Sequence, residues 1–213
     1  MRITKFGHAC VRVSAEGHEL VLDPGSLTSR EAVEGATAVL VTHEHADHLD
    51  VANLRATDAP VFTIAAVAEQ IAKEAPDVAE RVTVVAPGDS VDAGLPVRAV
   101  GEWHAVIHED LPRFHNSGFL VEADGLTLYH PGDSFTLPDA GVDVLLTPVS
   151  GPWCKLSEVV DFTRVVGAPR NVAIHELVLS DFGLGITDAR MGSMLGEGQE
   201  YVRVAAGEDV PLG

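Results

Sequence analysis

Apolar and polar positions along this 213-residue chain fall into short blocks whose period switches between two and about 3.6. Within residues 1–23, RITKF, ACVRVSA and HELVLDP alternate or carry β-branched residues, and they predict three consecutive strands. Glu16-Gly17 separates the second from the third as a turn, and Asp23-Pro24-Gly25 closes the run. SREAVEG predicts a short helix with Ser29 as its N-cap. TAVLVT is almost wholly apolar, as a strand buried on both faces must be. DVANLRAT predicts a helix, PVFTI a strand, and AAVAEQIAKEA the clearest helix, which ends before Pro76. RVTVVA and LPVRAVGEW predict strands on either side of a Pro87-Gly88-Asp89 turn.

The second half repeats the theme. NSGFLVEADGLTLYH predicts a hairpin turning at Asp124-Gly125. VDVLLTPV reads as a buried strand, and SEVVDFTRVVG as a helix with Ser157 as cap and Gly167 just past its end. NVAI is a short strand, TDARMGSMLGEG a weak helix and EYVRVAA a final strand. Strands alternating with helices specify an α/β fold, in two unequal halves, 1 to about 110 and about 115 to 213. The length suits one domain, 1–213, with its own core.

Charge narrows the partners. With 14 Lys and Arg against 32 Asp and Glu, the net charge of −18 disfavours nucleic acid and anionic membrane surfaces. No apolar run approaches the roughly 20 residues that span a bilayer. The start MRITKFGHAC lacks the apolar stretch of a signal peptide. Cys10 and Cys154 have no metal-site spacing and read as small buried hydrophobes, so a reducing cytoplasm is expected. The expected partner is a small-molecule substrate, with homo-oligomers compatible with the chain.

The chemistry concentrates in AVLVTHEHADHLD, where a β-branched run ends in His43, His45, Asp47 and His48. Imidazoles and a carboxylate at that density suit zinc, or manganese or iron. The bland reading, a solvated polar loop, leaves the rest of the pattern unexplained. His104 follows VRAVGEW, Asp133 follows LTLYHPG and His175 follows NVAI, each at or just past a strand-like run. Ligands collect beyond strand ends in open α/β sheets. His108 and His115 lie near His104 and compete with it for a ligand role; its place at a strand end favours His104. His18 reads as an exposed turn residue. Leu177, Leu179, Phe182 and Leu184 follow His175 as a candidate apolar wall or, equally, as residues packed under a loop.

THEHADH matches the HxHxDH signature of the metallo-β-lactamase superfamily, and HPGDS resembles its later Gly-Asp motif. With Asp23-Pro24 after an early strand, the chain resembles that superfamily over nearly its whole length. The resemblance implies a four-layer αββα sandwich and a binuclear site. One ion would take His43, His45 and His104, the other Asp47, His48 and His175, with Asp133 bridging. A hydroxide between two such ions attacks at neutral pH. The implied activity is hydrolysis of an ester, lactone, amide or phosphodiester bond. Asp47, Asp133 and His115 are then the candidate catalytic residues, His115 as proton donor.

Gly7-His8-Ala9 resembles the branch containing ascorbate-phosphate lactonases and N-acyl-phosphatidylethanolamine phospholipases, which sets a place near the site against an ordinary core histidine for His8. Asp23 reads equally as a carboxylate behind a ligand imidazole or as an Asx turn. His130 reads as structural or as an outer partner of the site. GEWHAVIH departs from the TPGHTPG pattern of glyoxalase II relatives, which weakens a thioester hydrolase reading. Two rivals are an iron-dependent oxygenase of the persulfide dioxygenase type and a non-catalytic metal-binding protein. All seven ligand positions being filled counts against the second.

Overall fold

The computed structural model describes residues 1–212, so the last position of the expected 1–213 span, Gly213, lies outside the described residues. The first half runs β1 (Arg2–Gly7), β2 (Cys10–Ala15), β3 (His18–Leu22), β4 (Ala38–Val41), α1 (Val51–Leu54), β5 (Val61–Thr63), α2 (Ala65–Glu74), α3 (Pro76–Ala79) and β6 (Val82–Val84). The second runs β7 (Ser90–Asp92), β8 (Pro96–Val100), β9 (Gly118–Ala123), β10 (Leu126–His130), β11 (Val144–Pro148), α4 (Leu156–Val166), β12 (Arg170–Ile174), α5 (Asp181–Met194) and β13 (Glu200–Val202).

Among the described residues these strands form two sheets, ordered β1-β2-β3-β4-β5-β6 and β13-β12-β11-β10-β9-β8-β7. Each sheet is antiparallel on one side and parallel on the other: β3 to β6 pair parallel in the first, β10 to β13 in the second. The apolar run over β4 follows from two buried faces. Ala38 and Leu40 point into the core between the sheets, whereas Val39 and Val41 meet Leu54, Val67 and Ile71 of the outer helices. In β11, Val144 and Leu146 face the other sheet while Leu145 packs on Phe162 of α4. The layers are thus helix, sheet, sheet, helix, as the resemblance implies.

Some local expectations fail for identifiable reasons. SREAVEG makes only a 3-10 turn at Arg30–Val33, and the Ser29 side chain caps nothing. The SEVVDFTRVVG helix starts earlier than expected, at Leu156; Ser157 lies inside it, and the Glu158 carboxylate accepts the Lys155 backbone N–H at 2.8 Å. The last helix starts at Asp181 rather than at Thr187, capped by Ser180. Gly183 and Gly185, poor helix formers, hid its first turns in the sequence. β7 was not predicted: it is a short edge strand pairing Ser90 with Arg98, where polar residues are tolerated.

For the site, the consequence is placement. Residues 43–48 leave the end of β4, His104 follows β8, Asp133 follows β10 and His175 follows β12. Among the described residues no helix is long and apolar enough to cross a membrane.

Candidate metal centre

The loop after β4 takes its shape from what lies beneath it. Gly25 has the Asp47 backbone against it, where a Cβ would come within 2.0 Å of the Asp47 carbonyl. Gly132 adopts a φ of 61° with the Asn116 side chain in the place of a Cβ, so glycine alone fits before Asp133.

All seven candidate ligands converge. Ligand atoms of His43, His45, His104 and Asp133 lie within 4.8 Å of one another, as do those of His48, Asp133 and His175. Asp133 belongs to both groups. Its Oδ1 is 3.1 Å from His48 Nε2, and its Oδ2 is 3.2 Å from His175 Nε2 and 3.4 Å from His104 Nε2. Asp47 Oδ2 lies 3.3 Å from His175 Nε2. A third group joins Asp47 and His175 to His8.

Outer contacts choose the tautomers. Buried Asp23 accepts from the Thr42 backbone N–H at 2.8 Å, from the Thr42 hydroxyl at 2.7 Å and from His48 Nδ1 at 2.7 Å. Gly25 N–H bonds to the Asp23 backbone carbonyl and not to its side chain, so the carboxylate acts behind an imidazole and makes no Asx turn. The Thr42 hydroxyl spends its one proton on Asp23, so at 3.0 Å it accepts from His43 Nδ1. His104 Nδ1 donates to the Ala105 carbonyl at 2.5 Å. In His43, His48 and His104, therefore, Nε2 is the nitrogen turned inward.

Inward His43 Nε2 lies 3.0 Å from His45 Nδ1, but the other inward atoms have nothing to bond. His48 Nε2, His104 Nε2, His175 Nε2 and Asp133 Oδ1 are buried without a hydrogen-bond partner. Unsatisfied buried polar atoms are costly, and four converging in one spot suit coordination of a cation. Their donor chemistry, imidazole nitrogen with carboxylate oxygen, fits a divalent ion of the zinc, manganese or iron kind.

Electrostatics divide the histidines. Burial, reinforced by the neighbouring His48, pushes the His43 imidazole well below its ordinary value. Burial and His104 lower His45. His48 behaves oppositely: against the pull of burial, Asp133 and Asp23 hold it well above the usual range. His175 is likewise raised, to about 9, because Asp133 and Asp47 outweigh burial. Asp133 and Asp47 are held ionised despite burial, Asp133 by His48 and His175 beside it, Asp47 by its neighbours His175 and His8.

Sequence reasoning passed over several contributors. The Trp153 indole donates to Asp133 Oδ2 at 2.9 Å, and Asn116 Oδ1 accepts the Asp133 backbone N–H at 3.1 Å. Phe114 packs edge-on to His45, its ring centroid 4.5 Å away. Buried Lys5 pairs with Glu176, the neighbour of His175. An aromatic or amide partner carries no motif, so pattern alone offered no signal for Trp153, Phe114 or Asn116.

The histidines around His104 separate cleanly. Trp103 and His115 pair across an antiparallel bridge, and their rings stack at 4.3 Å. Side chains alternate along such a pair, so His104 and Phe114 face the centre while Trp103 and His115 face away. His115, exposed to solvent, stands apart from the other candidate residues and lines a cavity of about 440 Å³ with Glu69 and Glu102. His108 is exposed beside Asp110. His130 is buried, with Nε2 2.9 Å from the Ala9 carbonyl. His18, half-buried against Gly94, is not the exposed turn residue expected. Leu177 and Phe182 project into solvent at 53% and 80% exposure, so they are not packed under a loop.

Comparison with known proteins finds likenesses over most of the chain. Residues 2–175 match the family described as the Beta-lactamase superfamily domain. Protein Rv0786c of Mycobacterium tuberculosis is 38% identical over 200 residues, covering 91% of this chain and 92% of that one. A UPF0173 metal-dependent hydrolase of Methanoculleus marisnigri is 30% identical over 199 residues, covering 82% and 80%. Among solved structures, Igni18, a metallo hydrolase of Ignicoccus hospitalis, superposes with a TM-score of 0.74 at 20% identity, covering 98% of this chain and 97% of its own.

Proposed function

Because the chain belongs to the metallo-β-lactamase superfamily, we propose that it is a metal-dependent hydrolase with two cations in its centre. The ions are zinc, with manganese or iron as the alternatives, and the substrate is a small molecule with an ester, lactone, amide or phosphodiester bond. One observation carries the reading: four buried donor atoms, on His48, His104, His175 and Asp133, converge without partners. When bound, divalent cations in such a set supply an activated water and Lewis-acid stabilisation of developing negative charge.

The chain's own residues do the rest. His43, His45 and His104 would hold one ion, Asp47, His48 and His175 the other, and Asp133 both. Trp153 and Asn116 orient Asp133, and Asp23 with Thr42 keeps lone pairs turned inward. His45 and Asp47 are only half-buried while the other five candidate ligands are buried, so substrate approaches over His45 and Asp47. Asp47 is held ionised and serves as ligand and acceptor rather than as acid. His115 faces away, so the leaving group takes its proton from solvent. The proposed location is a reducing cytoplasm.

The test is elemental analysis of protein purified without added metal, followed by a screen of phosphodiester, lactone and amide substrates. About two equivalents of zinc, manganese or iron and chelator-sensitive hydrolysis are expected. Metal-free protein, or turnover indifferent to chelator, would refute the reading.

A further inference from the structure

His8 occupies the turn between β1 and β2, fully buried and with a left-handed φ of 33°. Three contacts tie it to two other segments. Its carbonyl accepts the His175 backbone N–H at 3.1 Å. Its Nδ1 faces the Leu177 backbone N–H at 3.4 Å. Its Nε2 lies 3.2 Å from Asp47 Oδ2, and its ring centroid is 4.0 Å from that of His175.

These contacts decide where the ring proton sits. A backbone N–H only donates, so Nδ1 must offer its lone pair to Leu177. The single proton of the neutral ring is then on Nε2, and Nε2 donates to Asp47. A protonated nitrogen has no lone pair for a cation. His8 therefore stands close enough to Asp47 and His175 to surround an ion with them, yet is barred from ligating it.

We infer that His8 is a positioning residue for the second half of the centre, clamping the Asp47 carboxylate and the His175 loop from a third segment. The inference rests on the reading of Asp47 and His175 as ligands. A histidine that merely fills the core needs one satisfied partner. This one has a contact on each of two ligand-bearing loops, and the loop it braces is itself held left-handed, with His175 at a φ of 63°. The buried Lys5–Glu176 pair secures the same loop from β1. Outer partners that orient a metal ligand typically govern affinity by about 10- to 100-fold.

Two measurements test this with zinc as the probe. The first uses the zinc-loaded wild type: long-range proton–nitrogen spectra of its imidazoles, with His8 assigned by its loss in His8→Gln. A proton on Nε2 and a bare Nδ1 support the inference; a proton on Nδ1, with Nε2 on the ion, overturns it. The second is zinc titration of stripped protein. His8→Phe keeps the ring volume without the donor, and it should weaken the second zinc equivalent by about 10- to 100-fold while leaving the first unchanged. His8→Gln, whose amide can donate from the place of Nε2, should recover much of that loss. Two equivalents bound by His8→Phe as tightly as by wild type would overturn the inference alone. A wild type that takes up no zinc would overturn the reading of the centre and this inference with it. If His8→Phe does not fold, as judged by its melting curve, the wild-type spectrum still decides.

Discussion

The two halves of the centre share Asp133 and draw on the same residue types but hold protons differently. His43 and His45 lie below the ordinary imidazole range, chiefly because burial disfavours charge and neighbouring imidazoles add to it. His48 and His175 lie above it, because Asp133 stands against both, with Asp23 behind one and Asp47 beside the other. The first half presents bare lone pairs to a cation. The second holds its protons more tightly, so a cation there competes with them up to a higher pH. Carboxylate placement, not histidine count, makes the difference.

The largest effect should come from the residue common to both halves. Asp133→Ala removes the carboxylate that both donor groups share. Metal content measured by elemental analysis should fall at both positions, and hydrolysis should fall by more than the roughly 100-fold that loss of an outer partner costs. Full occupancy with normal turnover would show that the two halves are independent.

Next comes the first half alone. His104→Ala should lose metal, whereas His108→Ala and His115→Ala should keep it, because only His104 turns inward beside Asp133. Metal content of the three variants checks this. Loss of metal in His115→Ala would contradict the side-chain alternation at the Trp103–His115 bridge.

The halves should also differ in pH response. Filling the second half displaces protons from His48 and His175, so its affinity should rise with pH up to about 9. The first half should respond only below the unperturbed imidazole value of about 6.5. Calorimetry in buffers of different ionisation enthalpy would count the protons released at pH 7.5. No release with either equivalent would dissolve the comparison.

The smallest effect is on stability. His48 and His175 have folded-state values above the unfolded one, so in metal-free protein their contribution is fully present below about pH 6.5. It is lost as pH rises through about 9. The melting midpoint of chelated protein should therefore decline between those values, while the loaded protein does not. At pH 7.5 the chelated midpoint should be lower but still cooperative, because the core between the sheets does not depend on the centre. Identical midpoints with metal loss confirmed would mean that the histidines are not coupled ligands.

Much of this arrangement was legible along the chain. The β-branched run into THEHADH, and the single His or Asp after each of three later strand-like runs, marked seven residues that the fold gathers into one cluster. They were legible because ligand chemistry is carried by residue type and strand ends by local hydrophobic period. The expected α/β class follows from the same periodicity, since β4 and β11 must be apolar on both faces to lie between a sheet and helices, whereas the two sheets were implied by the family resemblance. Only tertiary structure decided the rest. Sequence favours His104 over His115 only by its place at a strand end, and it is a single antiparallel bridge that sends one inward and the other to solvent. Asp23 became the partner of His48 rather than an Asx turn because β3 and β4 lie side by side. His8 meets Leu177 across 169 residues of chain. Local pattern specifies which groups a segment offers and where its strands end. Which face a side chain takes, and what stands behind it, depends on the pairing of distant segments, and no window of sequence contains both partners.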